Sequence, residues 1–135
     1  MESETTTVSR KALWAGRIVS ALPILFLLMD SVMKLLKPTF VVDATVKLGY
    51  QESTIVPLGI VLLICVILYA IPQTSVLGAI LLTGYLGGAV ATHVRVGDPL
   101  FSHVLFPVYL GILIWLGLYL RDVRLRALVP LVSRT

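Results

Sequence analysis

The side chains best suited to chemistry in this sequence are a few ionisable residues that border hydrophobic segments. Asp30 and Lys34 are four residues apart, a spacing that puts both side chains on one face of a helix. His93, Arg95 and His103 lie near the ends of later hydrophobic segments. An imidazole exchanges protons near neutral pH, and charged side chains hydrogen-bond strongly to polar headgroups. These five residues form the candidate cofactor-binding cluster.

The Asp30–Lys34 pair has two interpretations. A charge within the hydrocarbon costs about 2.5–3.5 kcal/mol on insertion scales, so an ionisable residue there is usually paired or functional. The pair is either a charged, proton-handling entrance to a helical bundle or a structural ion pair whose lysine extends toward the membrane surface.

No metal site and no catalytic residue is predicted. The two histidines have no third histidine or nearby cysteine to complete a ligand set, so hydrogen bonding near the membrane surface is their expected role. Cys65, the single cysteine, falls in the middle of a charge-free segment, where we expect it to pack as a small apolar side chain. The sequence contains no nucleophile–base triad and no phosphate-binding loop, so enzymatic activity is left open.

Four hydrophobic segments must position these residues. Of the 135 residues, 58% are hydrophobic and 13% are charged, whereas a soluble domain has roughly 25% charged residues. About 20 apolar residues in a helix cross a hydrocarbon core of about 30 Å. The composition therefore excludes an ordinary soluble enzyme. It predicts an all-α, four-transmembrane-helix antiparallel bundle, a single membrane domain over 1–135 with spans at 13–36, 55–71, 74–94 and 100–120.

The segments are joined by connectors of different kinds. The second and third spans are separated by little more than Pro72 and Gln73, which forces an antiparallel hairpin. The first connector is long, and Pro38 and Gly49 have the residue types that begin and end helices. We expect a short interfacial helix on the membrane surface between the first and second spans, with an ordinary loop as the alternative. The first segment contains Asp30 and has no small-x-small cleavage motif, which favours a retained span over a signal peptide.

The distribution of basic residues predicts the orientation. The ends carrying the two termini and the short hairpin hold seven of the eleven lysines and arginines, and the opposite side holds the other four. Cytoplasmic loops are enriched in these residues, so both termini are expected in the cytoplasm. The basic tail, 121–135, is expected to lie against anionic headgroups. The basic residues do not form a stripe typical of nucleic-acid binding, and no nucleic-acid partner is predicted. The four residues on the outer side are Lys34, Lys37, Lys47 and Arg95.

The third span contains a run of small residues at helical spacing. Gly84, Gly87, Gly88 and Ala91 share one face, and a small-xxx-small pattern lets another helix backbone approach closely. The pattern predicts helix packing and leaves open whether the partner helix belongs to the same chain or to a second copy. A homo-oligomer is therefore one expected assembly.

Several stretches resemble the DoxX-like family of small bacterial integral membrane proteins. They extend over residues 12–130 and include GRI at 16–18, FLLMD at 26–30, LGY at 48–50, PLG at 57–59, the run TSVLGAILLTGYLGGAVATH at 74–93, and HVLFPVYLG at 103–111. The resemblance implies a four-helix membrane bundle in the bacterial cell (inner) membrane. Some relatives are membrane subunits of oxidoreductase complexes, including thiosulfate–quinone oxidoreductase. The resemblance therefore also implies contact with a quinone or with a soluble or membrane oxidoreductase partner.

Two classes of function follow from these observations. The first is an accessory or quinone-interacting subunit of a membrane redox complex, with the outer cluster around Asp30, Lys34, His93, Arg95 and His103 at the headgroup or partner site. The second is a small oligomeric transporter or channel, suggested by the glycine-rich third span and by the two spans that Pro23 and Pro107 interrupt. An assembly or scaffold protein without catalysis is a third alternative.

Overall fold

The computed structural model describes residues 8–128, which are helical and contain no β-strand. The α-helices in this part are α1 (Arg10–Leu36), α2 (Thr39–Lys47), α3 (Ile55–Ala70), α4 (Ser75–Arg95), α5 (Phe106–Arg121) and α6 (Val123–Leu128). Short turns of 3-10 helix at Glu52–Thr54 and Pro72–Thr74 lead into α3 and α4, and a π-helical turn at Leu100–Val104 leads toward α5.

Four helical stretches are long and apolar enough to cross a membrane, which confirms the four predicted spans. They are Arg10–Leu36, Glu52–Ala70, Pro72–Arg95 and Leu100–Arg121. The first begins at Arg10 rather than at residue 13 because the Ser9 hydroxyl accepts the Ala12 backbone N–H at 3.2 Å and caps the helix. It ends where Lys37 adopts a left-handed conformation, φ 52°, before Pro38.

The four long helices form a ring in which each packs against two neighbours. Helix α1 packs against α3 and α5, and α4 packs against the same two helices from the opposite side. The antiparallel order places the start of α1, the α3–α4 hairpin and the end of α5 together, and we call this the termini end. The first connector and the connector between α4 and α5 lie at the other end, the loop end.

The interior of the ring is apolar and so is its outer surface. Leu62, Tyr69, Leu82 and Ile114 are at most 1% exposed and fill the centre. Large apolar side chains also point outward along every span, among them Leu25, Ile64, Ile80 and Ile112, each more than half exposed. An apolar surface on this scale requires lipid rather than water as its solvent.

Two glycines let α1 and α5 cross in close contact. A methyl group added to Gly16 would lie 2.8 Å from the Gly117 carbonyl oxygen, and one added to Gly117 would overlap the Ser20 hydroxyl. Close backbone approach at small residues is the usual way that helices associate in lipid. A third glycine, Gly78, does the same for α3 and α4, where an added methyl group would overlap the backbone of Tyr69.

The glycines of the predicted packing face contact no other helix of the described chain. A methyl group added to Gly84, Gly87 or Gly88 would meet no atom within 4 Å outside its own helix. Within residues 8–128, no helix therefore packs against these glycines. Their face is open to lipid or to a second copy of the chain. The reason is rotational: α4 turns Leu82 and Leu86 toward the core and this glycine face away from it.

The fourth span is not a continuous α-helix. Val104 and Leu105 donate their backbone N–H groups to the carbonyls of Pro99 and Leu100, five residues earlier, and regular α-helix begins at Phe106. Pro107 lies in the first turn of α5, where its missing N–H leaves no helical hydrogen bond unmade. Pro23 lies inside α1, which continues through it from Arg10 to Leu36.

The short elements outside the ring occupy the two ends. Helix α2 spans nine residues of the first connector, with Pro38 before it and Gly49, φ +96°, after it. Its Phe40 side chain is exposed, and its location on the membrane surface stays a prediction. Helix α6 forms the described part of the tail and buries Leu125 against the core. The rest of the predicted tail, 129–135, lies outside the described residues.

Candidate functional site at the loop end

Two histidines and an aspartate lie together at the loop end, where a hydrogen bond joins the aspartate to one of the histidines. His93 is on the last turn of α4, and Gly97, at φ +76°, turns the chain so that Asp98 folds back toward it. The Asp98 backbone N–H donates to the His93 carbonyl at 3.1 Å. The Asp98 Oδ2 lies 2.6 Å from His93 Nδ1. A glycine is needed at this turn because an L side chain rarely adopts that φ.

The second imidazole lies against the first. The ring centroids of His93 and His103 are 5.9 Å apart, with 66° between the ring planes. His103 is carried by the π-helical turn before α5, where the Ser102 hydroxyl lies 2.8 Å from its Nδ1. The side chains of His93 and Asp98 are 22% and 29% exposed, so the pair is shielded but reachable from outside. We call His93, Asp98 and His103 the histidine cluster.

The geometry of the histidine cluster determines which ring nitrogen of His93 is not bonded to Asp98. An ionised carboxylate only accepts hydrogen bonds, so Nδ1 carries the proton that bonds to Asp98. In the neutral ring Nε2 is then an acceptor, and in the protonated ring it is a donor. The neutral ring can therefore take a proton from a hydroxyl group beside it, and the protonated ring can give one to a carbonyl oxygen.

The Asp30–Lys34 pair forms a separate ion pair. Lys34 Nζ lies 2.6 Å from Asp30 Oδ2, with the lysine side chain 16% exposed and the aspartate 36% exposed. Both residues are on α1, which is diagonally across the ring from α4. Over the described residues, no hydrogen bond or ion pair joins either of them to His93, Arg95 or His103.

Arg95 hydrogen-bonds the first connector and attaches it to α4. Its Nη2 donates to the Leu48 carbonyl at 2.9 Å and lies close to Gly49, where a side chain would collide with it. One turn earlier on α4, the Thr92 hydroxyl is 2.6 Å from the Tyr50 hydroxyl. These bonds attach the connector to α4, so Arg95 has a structural partner and points away from the histidine cluster. Residues two positions apart on a helix point about 200° apart, so Arg95 and His93 lie on different sides of α4.

The five predicted residues therefore occupy one end of the bundle but form three groups. Asp98 and Ser102, which hydrogen-bond His93 and His103, are not among the five predicted residues. The Gly-Asp-Pro run at 97–99, typical of a tight turn, is the signal from which the Asp98–His93 contact could have been inferred. In the described part of the chain, no three His, Cys, Asp or Glu side chains converge as a metal site would require.

Comparison with known proteins gives one match. No curated protein and no solved structure matches the chain. The family model of the DoxX-like family matches residues 18–117, about three quarters of the sequence and all four spans. This match agrees with the four-helix ring and its apolar outer surface. The chain is a multi-pass integral membrane protein that belongs to the DoxX-like family.

Proposed function

We propose that this protein is an accessory membrane subunit of a redox complex and that its histidine cluster binds the headgroup of a quinone. The observation that supports the proposal is the His93–Asp98 hydrogen bond of 2.6 Å beside the ring of His103. It leaves one imidazole nitrogen of His93 free to exchange a proton at the end of an apolar bundle, where a lipid-soluble molecule has access.

The proposed step is the protonation of a quinone as it is reduced. Reduction to the quinol takes up two electrons and two protons. The electrons come from the redox centre of a soluble or membrane oxidoreductase partner. The protonated His93 donates its Nε2 proton to one quinone oxygen and is reprotonated from water at the loop end, and the other quinone oxygen takes the second proton from the same water. Asp98 stabilises the imidazolium through Nδ1.

The other predicted residues have a different part in the proposal. Asp30 and Lys34 neutralise each other, as do Lys37 and Glu52, whose charged atoms are 3.4 Å apart. They give the loop end a polar surface of mixed sign that an oxidoreductase partner can contact. Arg95 maintains the connector beside the site through its bond to Leu48.

The proposal includes the location and orientation of the chain in the membrane. We infer that the chain forms a single membrane domain in a bacterial inner membrane, with α2 on the membrane surface and both termini in the cytoplasm. The larger number of basic residues at the termini end supports this orientation. The histidine cluster then faces the outer side.

The proposal is tested by quinone binding to the purified protein in detergent, with a short-chain ubiquinone or menaquinone analogue and equilibrium dialysis. We expect His93→Ala and His103→Ala to weaken binding about tenfold, or about 1.4 kcal/mol, which is within the usual range for one hydrogen bond. Lys37→Ala, which removes a half-exposed charge at the same end, is the matched control and should bind as the wild type does. Wild-type affinity in both histidine variants would refute the site.

A small oligomeric transporter or channel is the second candidate function. The open glycine face of α4 favours it, since Gly84, Gly87 and Gly88 are free to pack against a second copy. Four spans enclose little space, so transport needs such an assembly. Flux of small ions or solutes into proteoliposomes above the level of empty vesicles would favour this candidate. A monomeric mass together with no flux would remove it.

A further inference from the structure

A cavity lined by three arginines lies at the termini end of the bundle, opposite the histidine cluster. It has a volume of about 380 Å³ and lies among the first turns of α1, the α3–α4 hairpin and the junction of α5 with α6. Arg17, Arg121 and Arg124 line it together with Asp122. Its volume falls at the lower end of the roughly 300–1,000 Å³ typical of small-molecule pockets.

The charge of this lining is unbalanced. Asp122 is paired with Arg124. The Asp122 Oδ1 lies 3.5 Å from Arg124 Nε and accepts the Arg124 backbone N–H at 2.9 Å. The Arg124 side chain is 82% exposed, so water screens it. Three arginines and one aspartate leave a formal charge of +2 on the lining, which falls on Arg17 and Arg121.

Arg121 is the cavity cation that no residue among 8–128 pairs with. Its Nε and Nη2 atoms are enclosed by protein and have no hydrogen-bond partner among residues 8–128. The guanidinium carbon lies 5.2 Å from the centre of the Tyr69 ring, which supports it through its π face. The Tyr69 hydroxyl donates instead to the Ile114 carbonyl at 2.7 Å. A shielded cation without a partner is unfavourable, so this position suits a bound anion.

The surrounding structure holds the arginines in place. The close crossing of α1 and α5 at Gly16 and Gly117 brings Arg121 against the start of α1, because a methyl group at Gly16 would lie 3.0 Å from Arg121 Cβ. Arg17 is the next residue of α1. At the end of α5, Arg126 donates to the carbonyls of Tyr119 and Leu120 at 2.7 and 2.8 Å. Those bonds offset the partial negative charge of the helix terminus, which would otherwise repel an anion.

We propose that this cavity binds an oxyanion, a phosphate or carboxylate group, with Arg121 and Arg17 as its binding residues. The planar guanidinium group matches these oxyanions in geometry and charge. The cavity lies at the end of the apolar spans, where a surrounding bilayer has its headgroups. The phosphate of an anionic lipid and a free anion from solution are therefore two sources of the same chemistry. The site is independent of the quinone proposal, because it lies at the opposite end and shares no residue with it.

The experiment measures anion binding by the purified full chain in two arms. In the first, inorganic phosphate is titrated at constant ionic strength, and the shift in melting temperature is followed. In the second, phosphatidylglycerol or phosphatidylcholine is added in mixed micelles, and retained lipid is measured by native mass spectrometry. Saturable binding of phosphate in the first arm indicates a free anion. Saturable binding of phosphatidylglycerol alone indicates a lipid.

The variants are Arg121→Gln and Arg17→Gln, with Arg10→Gln as the matched control, because Arg10 is an exposed arginine at the same end that does not line the cavity. We expect Arg121→Gln to weaken binding at least tenfold, Arg17→Gln several-fold and Arg10→Gln less than twofold. Arg121→Gln should also melt no lower than the wild type without anion and lose the gain in melting temperature with it, a pattern that a purely structural arginine would not show.

Several results would overturn the proposal. These are the absence of saturable binding in both arms, equal retention of phosphatidylcholine and phosphatidylglycerol without phosphate binding, and unchanged binding by Arg121→Gln. If Arg121→Gln does not fold, Arg17→Gln decides the question, because Arg17 is exposed and its replacement leaves the core intact. Wild-type binding by a folded Arg17→Gln would then refute the site.

Discussion

Polar side chains inside this bundle are satisfied by backbone carbonyls at particular helix crossings. The Tyr69 ring is fully buried, and its hydroxyl donates to the Ile114 carbonyl at 2.7 Å and lies 3.1 Å from the Ser20 hydroxyl. This contact joins α1, α3 and α5 at one point. A buried hydroxyl without such a partner would be unfavourable in lipid, so the hydrogen bond specifies how the three helices pack.

Tyr69→Phe is expected to destabilise the protein by about 1–2 kcal/mol, because it removes the hydroxyl and leaves the Ile114 carbonyl without its side-chain donor. The measurement is unfolding by denaturing detergent, followed by circular dichroism. Tyr109→Phe is the control. Its hydroxyl donates to the Phe101 carbonyl at 3.1 Å in an exposed position, so its loss should cost less than about 0.5 kcal/mol. Equal losses in the two variants would contradict this account.

At the scale of the helices, the contacts are made by glycines that differ from those singled out in the sequence. Gly16, Gly78 and Gly117 lie where two backbones meet, whereas Gly84, Gly87 and Gly88 face outward. All six are glycines in apolar helices, and two glycines four residues apart on one helix occur only in the second set, at Gly84 and Gly88. Spacing identifies residues that share a face of one helix, but the rotation of that helix in the bundle decides which face is covered.

Substitution of one glycine from each set tests this distinction. Gly117→Ala is expected to lower stability by about 1–3 kcal/mol, because the added methyl group overlaps the Ser20 hydroxyl and forces α1 away from α5. Gly84→Ala should leave the stability of the single chain unchanged or slightly raised, since it meets no neighbour and alanine favours the helix. Both are measured by the same unfolding assay. A large loss of stability in monomeric Gly84→Ala would show that the glycine face of α4 is covered.

The α4 face also gives a prediction about assembly. If copies pack through Gly84 and Gly88, Gly88→Leu should convert an oligomer into a monomer without loss of helicity, because a large side chain separates the backbones. Light scattering on the detergent complex, corrected for bound detergent, measures the mass. An oligomer that persists in Gly88→Leu would place the contact between copies on another surface.

At the scale of the whole molecule, the two ends of the bundle differ in charge and in the residues exposed there. The loop end carries the histidine cluster and the paired charges Asp30–Lys34 and Lys37–Glu52. The termini end carries the arginine-lined cavity. A protein organised in this way presents different chemistry to the two sides of a membrane.

Orientation is measured by labelling single cysteines in intact cells with a membrane-impermeant maleimide, in a Cys65→Ser background. We expect Asp43→Cys, on α2, to react from outside. Ser9→Cys and Arg124→Cys should react only after the membrane is permeabilised, because seven of the eleven basic residues lie on their side. All three introduced cysteines are at exposed positions. Labelling of Ser9→Cys from outside would reverse the proposed orientation.

Composition and the length of the apolar runs were sufficient to predict the four spans and their antiparallel order. In lipid the backbone N–H and C=O groups of each span must hydrogen-bond within that span, so an apolar run of about 20 residues forms a helix. The i,i+4 spacing was likewise sufficient for the Asp30–Lys34 ion pair, because one helix contains both residues.

The rotation of each helix could not be predicted in the same way, because nearly every side chain in these spans is apolar and both lipid and core accept apolar groups. That rotation turned Gly84 outward, brought Gly117 against Gly16, and left the Nε and Nη2 atoms of Arg121, beside Tyr69, without a hydrogen-bond partner among residues 8–128. These outcomes depend on contacts between residues far apart in the chain. Close packing between the helices determines these contacts, and hydropathy does not predict which side chains will pack together.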